Sequence, residues 1–173
     1  MLTDTHRWSL TAAGIPLVVA SLGWSTASAW QGRHPDLSRP RLLVAGFCCV
    51  AVGTAGLAFT GPSWGPPWLA FPVWLVAGVG MGLGYSAISY LVLAQSAPND
   101  VGFNTSASQL ADQLGSAALI GAGGALLVLL VTPAVALPVF MVGLTVLAVL
   151  GACIAPRTAG AIVPPAPGSA AAG

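Results

Sequence analysis

The feature that most constrains this chain is a succession of five apolar segments, with almost every charge confined to the short connections between them. A helix rises about 1.5 Å per residue, so about 20 mainly apolar residues cross the hydrocarbon core of a bilayer. The predicted spans run from Leu10 to Trp30, Leu42 to Thr60, Trp68 to Ala94, Thr105 to Val131 and Ala136 to Ala155. The chain is therefore expected to be all-α, a polytopic helical membrane protein whose main partner is the lipid bilayer. The expected connections are Gln31 to Arg41, Gly61 to Pro67, Gln95 to Asn104 and Thr132 to Val135. At the last of these, Pro133 and Pro138 favour a turn, because proline lacks a backbone donor and restricts the residue before it. Residues 1–9 are read as a short outer segment and residues 10–155 as the transmembrane region. The Pro/Ala-rich tail, residues 156–173, is expected to be disordered.

Composition removes the soluble alternatives. Only 5% of residues are charged and 56% are hydrophobic, whereas a soluble domain carries about 25% charged residues to face water. Five Arg and four Asp, with no Lys and no Glu, cannot surface a soluble fold of 173 residues. A net charge of +1 also argues against nucleic acid as a partner, since phosphate binding needs clustered basic side chains. Cys48, Cys49 and Cys153 sit in apolar runs and read as small hydrophobes rather than a disulfide framework. No CxxC or HExxH motif is present and His6 and His34 are the only histidines, so neither a metal site nor a cofactor is expected. The first apolar segment follows a weakly charged start and has no clear cleavage site, which reads as a retained span rather than a signal peptide.

The arginines give an orientation. With five spans, Arg33, Arg39 and Arg41 of the first connection share a side with Arg157, and Arg7 lies opposite. Positive charge collects on the cytoplasmic side, which predicts an outside N-terminus and a cytoplasmic C-terminus in the plasma membrane. Trp8, Trp64, Trp68 and Trp74 then fall near the outer interface, where indoles are favoured.

The spans are expected to pack together. The third contains two overlapping GxxxG registers, Gly78 with Gly82 and Gly80 with Gly84. Small residues four apart form a groove that lets another backbone approach closely. The fourth repeats the theme with Ala107, Ala111 and Gly115. Packing within one bundle and dimerisation through these faces are both compatible with the pattern.

Asp112, in the fourth span, is the only intramembrane charge. Gln109, Gln113 and Ser116 lie near it at helical spacing, with Thr105 a turn or two before. A carboxylate at mid-helix costs about 2.5–3.5 kcal/mol to insert, so it faces the bundle interior or a cavity by default. Two readings stand. One is a protonatable or substrate-contacting group on a transport path together with Gln109, Gln113 and Ser116. The other is a helix-start carboxylate favoured by the N-terminal dipole and hydrogen-bonded to a neighbouring helix. Enzyme chemistry is not expected. A carboxylate dyad needs a second acid beside Asp112, and both histidines lie outside the spans, so no catalytic residue is assigned.

Three colinear stretches resemble the C-terminal half of a major facilitator superfamily transporter, most like its actinobacterial drug-efflux branch. Gly14-Ile15-Pro16 through Trp30-Gln31-Gly32-Arg33, with Arg39-Pro40-Arg41, is similar to that family's span eight and its basic cytoplasmic loop. Leu75 to Leu91, with Tyr85-Ser86, looks like span ten, and Asn104 to Gly115 is similar to the start of span eleven. The loop departs from the family pattern, reading His34-Pro35-Asp36-Leu37-Ser38 in place of an Asp-Arg-x-Gly-Arg-like run. The resemblance implies a partial half bundle, spans eight to twelve, from a proton-coupled exporter of small molecules or drugs. Its implied partner is the N-terminal transporter half, with substrate bound between halves near the midplane. A small membrane interaction subunit, packing on another protein through its GxxxG faces without transport of its own, is the alternative.

Overall fold

A computed structural model describes residues 7–60, 65–130 and 133–159, with the side chains of residues 133 and 134 also left undescribed. Its five long helices are α1 (Leu10–Gly32), α2 (Arg39–Thr60), α3 (Ala70–Ala94), α4 (Val101–Leu129) and α5 (Pro133–Ile154). Short 3-10 turns, Pro67–Leu69 and Ala155–Thr158, precede α3 and follow α5. No strand occurs among the described residues. All five helices are long and apolar enough to cross a membrane, so the chain is an all-α, multi-pass membrane protein. Trp64, His6 and the tail beyond residue 159, expected to be disordered, lie outside the described residues.

Several boundaries differ from expectation, each for a local reason. Arg39-Pro40-Arg41 was expected in the connection but forms the first turn of α2. Proline suits that turn, because its missing N–H would have no partner there. Pro133 likewise opens α5 rather than interrupting it, and Pro138 is carried inside the helix. Pro16 is accommodated inside α1, whose first turn is capped by Ser9 accepting from the Ala12 N–H at 3.2 Å. Pro156, Arg157 and Thr158, expected at the start of a structureless tail, form the second 3-10 turn. The fourth helix begins at Val101, four residues before the expected Thr105.

The bundle is built around α3. Glycines let two helices approach it from opposite sides, because residues two apart on a helix point about 200° apart. A Cβ added at Gly78 would collide with the Ala20 carbonyl of α1, and one at Gly82 would lie 2.5 Å from the Trp24 oxygen. The Gly80 register faces α2 instead. Its added Cβ would sit 2.6 Å from the Gly46 oxygen, and one at Gly46 would sit 2.8 Å from the Gly84 nitrogen. The two GxxxG registers therefore serve two different neighbours, which is packing within the bundle.

Polar contacts finish these crossings. Ser28 on α1 donates to the Gly82 carbonyl at 3.3 Å, and Ser86 donates to Ser28 at 3.1 Å. The fifth helix packs behind α2, where Thr54 and Thr145 share a hydroxyl hydrogen bond of 2.9 Å and Phe47 fills the space over Gly151. The buried core is mostly alanine, including Ala27, Ala51, Ala70, Ala87 and Ala148. Small side chains allow the close backbone approach on which helix association in lipid depends. The helix α4 stands apart: it leans on the edges of α3 and α5, and none of its residues is buried.

Candidate functional site

The arginines gather at one end of the bundle. Leu43 near the start of α2, Ala87 near the end of α3 and Ala155 after α5 form one buried cluster, which fixes those termini together. Gln95 after α3 donates to the Thr158 carbonyl at 2.8 Å. Arg33, Arg39, Arg41 and Arg157 therefore belong to one end, together with the start of α4. Arg7 precedes α1 at the other end, where Trp8 meets Phe71 at 6.0 Å.

Gln31 ties that end together. It is 1% exposed. With its amide oriented to satisfy both ends, it donates to the Leu83 carbonyl and accepts from the Ala87 N–H and the Arg39 guanidinium, each at 3.1 Å. A buried amide needs such partners, since leaving it unpaired costs about 1–3 kcal/mol. The Arg39 guanidinium also lies 4.6 Å above the Tyr90 ring, a cation–π contact that favours a partly desolvated cation. Arg33 and Arg41 are exposed. Of the basic residues marked in the sequence, Arg39 alone is built into helix packing.

The intramembrane polar residues divide between two environments. A cleft of about 350 Å³ opens between α3 and α4. Thr105, Ser108, Gln109 and Asp112 line it from α4, and Tyr85 and Ser89 line it from α3. Ile88, Val92 and Leu93 form its apolar wall. Asp112 also borders a second, smaller cavity of about 160 Å³ between α2 and α3, which shares Tyr85 and Ile88 with the first and is otherwise walled mainly by Leu43, Phe47, Val50 and Met81. The carboxylate thus sits where a polar cleft meets an apolar one. Gln113 and Ser116, which the sequence groups with Asp112, line neither cavity, and all four of Gln109, Asp112, Gln113 and Ser116 are exposed. Ser108, Tyr85 and Ser89 were missed as site residues. The sequence signal for Ser108 was available, since it lies four residues before Asp112 and shares its face.

The depth of Asp112 bears on its role. It is the twelfth residue of α4, so it lies about 16 Å along the axis from Val101. The N-terminal dipole acts within the first turn, and α4 has no acidic residue there. The acid at the helix start is Asp100, the N-cap residue, and Asp112 lies too deep for that role. Among the described residues, no neighbouring helix provides Asp112 with a hydrogen bond.

Small residues of α4 also differ from those of α3. Nothing lies within 4 Å of the position a Cβ would take at Gly115, Gly121 or Gly124, whereas Gly123 meets the Phe140 ring. Of the expected packing residues, Gly78, Gly80, Gly82 and Gly84 come together with other helices and Gly115 does not. The thiols of Cys48, Cys49 and Cys153 are free.

Comparison with known proteins adds no relative: no family model, no curated protein and no solved structure matches the chain.

Proposed function

We propose that this chain is part of a major-facilitator-type transporter, corresponding to spans eight to twelve, and that the assembled transporter exports small molecules by proton-coupled antiport. One observation carries the reading. Near the middle of α4, at the end of its polar half, Asp112 stands in the cleft, and that helix is left open while its neighbours pack closely. A carboxylate and several hydroxyl and amide groups at this depth are costly against lipid. They are expected where a pathway or another helical segment adjoins them. The colinear resemblance of α1, α3 and α4 to the family supports the same reading. Substrate would contact the cleft formed by Asp112, Gln109, Tyr85 and Ser89 from the open side. The arginine-rich end faces the cytoplasm, which puts the N-terminus outside and the complex in the plasma membrane.

The decisive experiment is transport by the assembled protein in inverted membrane vesicles energised by a proton gradient. Asp112→Asn is expected to lower proton-coupled substrate uptake by at least tenfold. Unchanged uptake with unchanged pH dependence would remove Asp112 from the pathway. A second reading, an interaction subunit without transport, is favoured by the unfilled surface at Ala107, Ala111 and Gly115. Cysteine crosslinking from Gln113 in native membranes separates the two. Capture of a polytopic partner in a complex that moves no solute against a gradient would favour the subunit.

A further inference from the structure

We infer that, in this conformation, the α3–α4 cleft is an aqueous half-channel, open at the arginine-rich end and ending at Asp112, through which that carboxylate exchanges its proton with water on that side. The polar groups are ordered along the cleft. At its mouth Asn104 donates to Ser96 at 2.9 Å, and Ser96 in turn donates to the Val92 carbonyl. Thr105 follows directly along α4, Ser108 and Gln109 lie one turn deeper with Ser89 across on α3, and then comes Asp112. The α4 groups lie between its first residue and Asp112, Ser89 is on the last turns of α3, and Ser96 is in the connection at the arginine-rich end.

The Thr105 hydroxyl is an independent pointer to water. Its oxygen is shielded yet has no hydrogen-bond partner among the described residues. Such a group in a native fold calls for a ligand, and water is the ordinary one. The cleft has the room, since one water occupies about 30 Å³ of liquid volume and the cleft offers about 350 Å³. Farther along the helix, the polar residues Gln113 and Ser116 line neither cavity, and the cavity beside the cleft is walled mainly by Leu43, Phe47, Val50 and Met81. Apolar cavities do not hold water well, and the polar lining of the cleft stops at Asp112, so the wet path ends at the carboxylate. The inference takes its meaning from the pathway reading of Asp112, but its test measures water access and not transport, so the two can fail separately.

The test is sided cysteine labelling in sealed membranes, with Cys48, Cys49 and Cys153 replaced by alanine. Single cysteines at Thr105, Ser108, Gln109 and Asp112 are treated with a charged, membrane-impermeant thiol reagent applied to one face at a time. Ser38→Cys marks the arginine side and Ser9→Cys the other, both exposed positions. Leu110→Cys and Leu114→Cys, exposed on the apolar side of α4, report the background. The expected result is labelling of the four cleft positions only from the Ser38 side, at least tenfold faster than Leu110→Cys. Ser116→Cys, one turn beyond Asp112, should stay at background. Ser108→Cys is nearly isosteric, so it keeps the cleft intact if a larger change does not. Background rates at Ser108 and Gln109, labelling from the Ser9 side, or Ser116 reacting as fast as Ser108 would each overturn the half-channel.

Discussion

At the residue scale, glycine identity matters where backbones meet and little elsewhere. An alanine at Gly78 would place its methyl against the backbone of Ala20, and a helix backbone cannot step aside as a flexible side chain does. Overpacking of this kind costs about 1–3 kcal/mol, occasionally more. At Gly115 nothing lies within 4 Å, so alanine there should gain up to about 1 kcal/mol from helix propensity. Reversible unfolding in mixed detergent should therefore show Gly78→Ala weakened by at least about 2 kcal/mol and Gly115→Ala not weakened. Equal losses at both sites would mean that the α1–α3 crossing does not depend on close approach. Gln31 is a second such point, because its amide joins α1, α2 and α3. Gln31→Leu keeps volume but leaves the Arg39 guanidinium without that acceptor. A loss of about 1–3 kcal/mol in the same assay is expected, and a neutral result would show that Tyr90 alone holds the cation.

At the element scale, the helices fall into a tight group and a loose one. Interhelical hydrogen bonds in membranes average about 0.6 kcal/mol, so the Thr54–Thr145 pair fastens α5 to α2 only modestly. Close packing at glycine and alanine contributes the rest. The helix α4 has little of either, with Gly123 against Phe140 but no buried residue and few neighbours. Local opening is easiest where buried contacts are fewest. Hydrogen exchange in detergent micelles should accordingly show faster exchange for the amides of α4 than for those of α3, by tenfold or more. Equal protection would mean that α4 is held by something other than this chain's own packing. Much of the element plan was legible beforehand, since apolar length is a local property that each segment carries by itself. The differences fall at ends: Pro133 reads as a break and Pro40 as part of a connection, yet each sits in a first helical turn, where a missing N–H costs nothing.

At the scale of the whole molecule, sidedness follows from adding charges that are distant in sequence. Arg33, Arg39, Arg41 and Arg157 share one end only because five antiparallel helices bring it together, as the Leu43–Ala87–Ala155 cluster shows. If that end is cytoplasmic, a fluorescent protein fused after the tail should fluoresce, and a phosphatase active only outside should be silent there. An active phosphatase fusion would invert the assignment. The fold class, the number of spans and the singular character of Asp112 were determined by the sequence alone, because hydropathy and charge count add up along the chain without regard to neighbours. Which helices the two glycine registers would meet, the opposite fates of Gly82 and Gly115, and the division of the α4 polar residues between a cleft and an open face were decided only in three dimensions. The reason is physical: a small or polar side chain states what contact it permits, and the packed bundle determines which surface arrives to make it.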